Sequence, residues 1–540
     1  MRHAALLACA LAPAYAWAQD GRTVREPVLP PACAVLIGET THAGRDDAPR
    51  IQAAIDKCAP GHAVVLAASN DRRSFVAGPL QLRDGVTLLV DTGTTLYAST
   101  DPRLFDRGAG TCGTNDASGR GCRPFIAAEK VRGAGIMGGG TIDGQGGATV
   151  LGRTETWWQI ARRAQKEKTR QNVPRLIQFD QAQDVTLYRI TLKNSPNFHV
   201  TLNGVDGFTA WRVTIDTPHD ARNTDGIDPI SSRNVTIAHS VIRTGDDNVA
   251  VKAGSNGPTE NVSILHNRFY SGHGMSIGSE TNGGVHNVLV DDLTMDGTTS
   301  GLRIKSNDMR GGRVDGIVYR DVCLRGIRSP IEITTHYEQP AQPGGLVPEY
   351  AGIRMERVRS TTPGRILLQG HDDAHPLVLD LRDVAIAAGS DVKQEHARVQ
   401  GKFGAGADCA GRFLPFPEPV ARNPRPQLTA GQARAYDYRT VLQYVGPVGN
   451  ERIDPWDPLA DPVVTNADLR ADYTVDAGAP ADGTTRFATV QAAVSRAVTA
   501  GGKRRIVIGI APGTYRELVY VPAGAPPITL AGTGADPQAV

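Results

Sequence analysis

Aromatic residues make up only 5% of this 540-residue chain. A helical enzyme would instead carry more Leu, Glu and Lys; the glycine count of 60, with many Val, Ile, Thr, Asn and Asp, suits short strands joined by tight turns. No apolar run is long enough to span a bilayer, which excludes a helical membrane protein. No Cys-x-x-Cys pair is present, which argues against a cysteine metal site. The net charge of +2 says nothing about partners at the level of the whole chain; nucleic acid is not expected, and a polyanion has to be recognised by a local cluster.

The first residues read as an export signal. Arg2 and His3 precede an apolar run from Ala4 to Ala14, and Ala16-Trp17-Ala18 is a small-x-small cleavage site. Leu6-Leu7-Ala8-Cys9 is like a lipoprotein box but sits too near the start to leave a working signal. Cleavage after residue 18 leaves Cys33, Cys58, Cys112, Cys122, Cys323 and Cys409, an even number that favours disulfides in an exported protein. Proximity suggests Cys33–Cys58 and Cys112–Cys122, leaving Cys323–Cys409, out of about fifteen formal connectivities. The expected location is outside the cell, with the periplasm as the alternative.

Residues 46–58 read as a short amphipathic helix with Ile51 and Ile55 on one face, and Asp46 or Asp47 as its N-cap. Strands follow at Ala63 to Ala67, Phe75 to Ala77 and Val86 to Val90. From about residue 126 the pattern repeats, with no helix expected between units. Asp184-Val185-Thr186-Leu187, Gly207-Phe208-Thr209-Ala210, Asn234-Val235-Thr236-Ile237, Asn261-Val262-Ser263-Ile264, Asn287-Val288-Leu289-Val290 and Gly316-Ile317-Val318-Tyr319 recur 23 to 29 residues apart. Strand-only units of that length indicate a solenoid. A leucine-rich repeat would need a leucine frame, and a propeller would need blades of about 40 residues. The fold class is therefore all-β: a right-handed single-stranded parallel β-helix, followed by a linker and the truncated start of a second β-helix.

Four short blocks fall inside the repeats: Asn223-Thr224-Asp225, Gly245-Asp246-Asp247, Gly272-His273-Gly274 and Arg303-Ile304-Lys305. Asp225 to Asp246, Asp247 to His273 and His273 to Arg303 are 21, 26 and 30 residues apart, close to one coil each. Alone, each block reads as a turn or a solvated strand. At coil spacing they form one ladder, with Tyr337 a further coil on. Facing carboxylates suit glycoside hydrolysis, in which one protonates the leaving oxygen and another activates water. Clustering raises the affinity of one of them for its proton. Adjacent cations suit a substrate with its own carboxylate, which points to a uronic-acid polymer. Calcium binding is the competing use of clustered Asp, and it would favour more acidic oxygens without Arg303 and Lys305.

The four blocks, intact and in order, resemble the signature of the polygalacturonases, glycoside hydrolase family 28, over roughly residues 30–415. The resemblance implies a parallel β-helix that cleaves α-1,4-linked galacturonan with inversion, without a cofactor or metal. On this resemblance Asp246 is the general acid, Asp225 and Asp247 activate the water, and His273 assists the acid. Arg303 and Lys305 hold a galacturonate carboxylate, Tyr337 contacts substrate, and Asn223 orients substrate or a neighbouring carboxylate. The partner is polygalacturonate of plant cell-wall pectin, met by a monomeric enzyme, with endo action expected. Exo action, rhamnogalacturonan hydrolysis and a non-catalytic polysaccharide-binding β-helix are the alternatives. Loops 107–123 and 338–350 are the candidates for closing one end of the groove.

The expected organisation is a signal peptide (1–18), the catalytic β-helix (19–420), a Pro-rich linker (421–466) and a final segment (467–540). In that segment Phe487 to Val494, Pro512-Gly513-Thr514-Tyr515-Arg516-Glu517 and Ile528-Thr529-Leu530-Ala531-Gly532 resemble the start of pectin methylesterase. That family's catalytic residues belong to later coils, so the expectation is no esterase activity.

Overall fold

The computed structural model describes residues 20–39, 46–338, 344–406, 408–417 and 470–534. The expected signal peptide and Pro-rich linker lie outside the described residues. The chain divides into two compact units, residues 1–420 and 421–540.

The first unit is a right-handed parallel β-helix. One face is an 11-stranded sheet that runs in chain order from Leu80–Gln81 to Asp391–Glu395, every pair parallel. Its register stacks Ile177, Val200, Ile227 and Val249, and then Met275, Leu302, Ile331 and Ile366, into one inward column. These side chains are all fully buried. Alternation along each strand turns the neighbouring positions outward, so Ser276, Arg303 and Glu332 form an external row, with Gly278, Lys305 and Thr334 beside it.

The sequence repeats supply another face, in which Val185, Phe208, Val235, Val262, Val288, Ile317 and Ile353 pair in succession. Why each repeat begins with Asp, Asn or Gly is a matter of backbone geometry. Asp184, Gly207, Asn234, Asn261, Asn287, Gly316 and Gly352 all have φ between 51° and 89°, where the coil bends from one face to the next. Gly enters that left-handed region freely, and Asn and Asp do so more readily than other residues.

The helix Ala48–Lys57 buries Ile51 and Ile55 at the first coils, and Cys33–Cys58 ties its end to the first strand. The other disulfides are Cys112–Cys122 and Cys323–Cys409. The expectation of no helix between the repeat units is corrected: Trp157–Lys166 is helical. A capping box between Thr156 and Gln159 starts it, and Trp157, Ile160, Ala161 and Ala164 form its buried face.

In the second unit, Tyr473–Val475, Arg486–Phe487, Ile506–Ile510 and Ile528–Gly532 form a small parallel sheet. The helix Val490–Ala500 covers it with Val490, Ala493, Val494 and Ala497. The Glu517 carboxylate caps that helix, accepting from the backbone N–H of Val490 at 2.8 Å and of Gln491 at 2.7 Å.

Candidate active site

The acidic and histidine blocks occupy the bends just before three successive strands of the 11-stranded sheet: Ile227–Ile230, Val249–Val251 and Met275–Gly278. The glycines flanking His273 are required there. Gly272 and Gly274 have φ of 74° and 78°, and a Cβ would lie 2.4 Å from the Asp246 carbonyl oxygen and 2.2 Å from that of Ser300. Arg303 and Lys305 lie not in this column but on the outward rows of the next strand, opposite Ser276 and Gly278. The single ladder is therefore corrected to a bend column flanked by a strand row. Both open into one cleft of about 640 Å³, which Tyr337 and Asn223 also line.

Asp225, Asp246 and Asp247 each bring a carboxylate oxygen within 4.8 Å of the others. Their environments differ. Asp247 is buried; its Oδ1 accepts from Ser276 Oγ at 2.7 Å and its Oδ2 from Lys305 Nζ at 2.9 Å, with Arg303 at 3.7 Å. Burial pushes its carboxyl upward, but Lys305, Arg303 and Lys252 outweigh it and hold the group below its usual range. Asp225 is also buried; its Oδ2 accepts from Lys252 Nζ at 3.1 Å, while its Oδ1 has no hydrogen-bond partner among the described residues. Lys252 also donates to Asp228 at 2.8 Å, so one ammonium serves two buried carboxylates. Burial, against the pull of Lys252, raises Asp225 well above the ordinary carboxylate range and Asp228 to about 6. Asp246 is the member that faces the cleft, with 22% of its side chain exposed and His273 Nε2 at 4.0 Å. His273 is fixed on its far side by Thr299 Oγ1, at 2.6 Å from Nδ1.

The ring of Tyr337 lies beneath the cations, its centroid 5.1 Å from Arg303 and 5.2 Å from Lys305. Glu332 holds Arg303 from the other side, at 3.3 Å. Asn223 Oδ1 accepts from Arg222 at 2.6 Å and from Gln171 at 3.1 Å, so it is held by a cation and an amide and not by a carboxylate.

The family described as glycosyl hydrolases family 28 matches residues 78–403. The chain belongs to that family. An endo-polygalacturonase of Pectobacterium carotovorum subsp. carotovorum is 47% identical over 378 residues, covering 70% of this chain and 92% of that protein. A polygalacturonase of Ralstonia solanacearum is 45% identical over 345 residues, 57% of this chain and 65% of that protein. Among solved structures, the polygalacturonase from Erwinia carotovora ssp. carotovora matches with a TM-score of 0.67 at 44% identity, over 71% of this chain and 100% of that one. This chain is accordingly a glycoside hydrolase.

Several residues in or behind this family 28 cleft carry no sequence signal. Asp228 and Lys252 sit on the strands behind Asp225, where alternation alone marks them as outward positions. Phe198 places its ring 4.5 Å from Lys252 Nζ, and Arg162 and Gln165 reach the cleft from the helix that sequence reasoning missed. The capping box and the i, i+3, i+4, i+7 spacing of Trp157, Ile160, Ala161 and Ala164 are the signals that mark that helix in the sequence. Loop 107–123 contributes no lining residue among those described. Among the described residues, Asp225, Asp246 and Asp247 are the one group that could chelate a metal. They fit one poorly: Lys252 holds Asp225, Ser276 and Lys305 hold Asp247, and three cations would surround the ion.

Proposed function

We propose that the chain is an exported endo-polygalacturonase that hydrolyses α-1,4-galacturonosyl linkages of de-esterified pectin. The observation that carries this reading is three differently tuned carboxylates within 4.8 Å of one another, beside Arg303 and Lys305 on the Tyr337 ring. Asp246, open to the cleft, gives its proton to the glycosidic oxygen as the bond from the anomeric carbon breaks. Water held between the Oδ1 of Asp225 and Asp247 attacks that carbon and passes its proton to Asp247, the carboxylate that Lys305 and Arg303 hold ionised. His273 positions Asp246, and Arg303 with Tyr337 seats a uronate carboxylate. Lys305 is spent first on Asp247, which it keeps ionised.

Inverting glycosidases ordinarily separate their carboxyls by about 6.5–9.5 Å, and retaining ones by about 5–5.5 Å. The 4.8 Å approach of the nearest oxygens would suggest retention on spacing alone. The contacts argue otherwise. A covalent nucleophile must swing an ionised oxygen onto carbon, yet both oxygens of Asp247 are held, and burial favours the protonated form of Asp225. Water attack with inversion follows, and NMR of the first-formed reducing sugar tests it: the β-anomer is expected, and the α-anomer would refute it.

Export is supported by the signal-like start and by three disulfides, which suit an oxidising compartment. No described helix is long and apolar enough to cross a membrane. Endo action is supported by the 47% identity to an endo-polygalacturonase and by a cleft that loop 107–123 leaves unlined, with Glu338 the described residue of loop 338–350 at its wall. The deciding experiment is a time course of product sizes from polygalacturonate with and without EDTA. Mixed oligomers, saturated and insensitive to EDTA, are expected. A single small product would mean exo action, unsaturated EDTA-sensitive products a lyase, and binding without cleavage a non-catalytic protein.

A further inference from the structure

On this reading of the cleft, we propose that Arg328 and Arg365 form a second carboxylate-binding subsite, which grips a uronate several sugars away from the scissile bond. Strand register carries the placement. The pairs Val249 with Met275, Met275 with Leu302 and Leu302 with Ile331 put Asp246, Gly272, Thr299 and Arg328 at equivalent positions of four successive coils. At ~4.8 Å per coil, Arg328 lies roughly 14 Å along the solenoid axis from the acid. Arg365 enters from the following coil, its backbone N–H donating to the Arg328 carbonyl at 2.8 Å. Both side chains are exposed, and both line the cleft that holds Asp246.

What marks these two arginines is the lack of an acidic partner. On the flanks of the same coils, Arg320 meets Asp291, Arg325 meets Asp296, and Arg357 meets Asp321. Each of those pairs bridges two coils. Among the described residues neither Arg328 nor Arg365 has an ion pair, although three glutamates share the cleft. Glu332 is already taken by Arg303 at 3.3 Å and Ser300 at 3.2 Å, and Arg310 holds both Glu280 at 3.4 Å and Glu338 at 3.1 Å. The cation pair is thus available to an incoming anion, and guanidinium groups suit a planar carboxylate. One coil advances by about the length of one sugar of an extended glycan. A galacturonan laid along the axis therefore brings a fresh carboxylate to each coil, and the one reaching Arg328 and Arg365 belongs to a sugar beyond the Arg303 site. A methyl ester there would remove the charge that this pair reads.

The test compares wild type with Arg328→Gln/Arg365→Gln on purified oligogalacturonates of increasing length and on partly methyl-esterified polymer. A lost charge-assisted contact predicts that the ratio of kcat/KM on long over short oligomers falls roughly tenfold or more. The loss should appear in KM, with weaker discrimination against esterified polymer and partial rescue by Arg328→Lys/Arg365→Lys. An unchanged ratio, or an equal loss at every length, would overturn the subsite. If wild type cleaves no oligogalacturonate at all, the proposed function itself fails, a separate result.

Discussion

His199 lies beneath the site, fully buried, and its replacement gives a pH signature that can be worked out in advance. Its Nδ1 is 3.0 Å from the Asp225 carbonyl oxygen, so that nitrogen carries the proton and donates; Nε2 accepts from Thr217 Oγ1 at 2.7 Å. Burial depresses the imidazole from 6.5 to about 4, against the smaller pull of nearby backbone carbonyls. The native state therefore stays neutral while the unfolded chain takes up a proton below pH 6.5, so stability is lost as pH falls through this window. Between pH 7 and pH 5 this one residue should cost about 2 kcal/mol. Asp228, raised to about 6, acts with the opposite sign: its native proton is lost as pH rises, so its burial costs more towards neutral pH. Comparison with His199→Asn, which keeps a donor for the Asp225 carbonyl, cancels that background. Urea unfolding followed by fluorescence of Trp157, Trp158 and Trp211 is the assay. The variant should be less stable at pH 7 but lose about 2 kcal/mol less than wild type on going to pH 5. Parallel losses in the two proteins would refute a neutral His199.

Asp246→Asn should lower kcat by roughly 10²–10⁴-fold while oligogalacturonate binding persists; near-normal turnover would remove Asp246 from the acid role. Arg303→Ala should mainly raise KM for de-esterified polymer, and an equal effect on fully esterified polymer would contradict a carboxylate contact. Gly274→Ala should lower the thermal midpoint and displace His273, since its Cβ would lie 2.2 Å from the Ser300 carbonyl oxygen at φ 78°. An unchanged midpoint would show that the bend relaxes without cost.

The fold was legible because its period is written twice, in apolar residues two positions apart and in the Asp, Asn or Gly that precedes each pair. Both follow from the coil: the pair points into the interior, and the opening residue takes the left-handed bend. The helix Trp157–Lys166 was missed because it is an insertion within a coil, and a repeat pattern is blind to what is inserted between its units. Of the site, the turn-forming blocks were readable since Asn, Gly and Asp are unusual in such density. Asp228 and Lys252 were not, because an outward strand position gives no sign of whether it faces solvent or a buried partner.

That distinction also separates the three carboxylates. Sequence makes Asp225, Asp246 and Asp247 look alike; the strands behind them do not. Lys252 arrives from the coil after Asp225 and is shared with Asp228, so Asp225 receives only part of one charge. Lys305 arrives two coils beyond Asp247, with Arg303 beside it, so Asp247 receives most of two. Asp246, whose neighbour is His273 at 4.0 Å, makes no ion pair with a lysine among the described residues. Three acids at one spacing thus acquire three characters from cations placed by register alone.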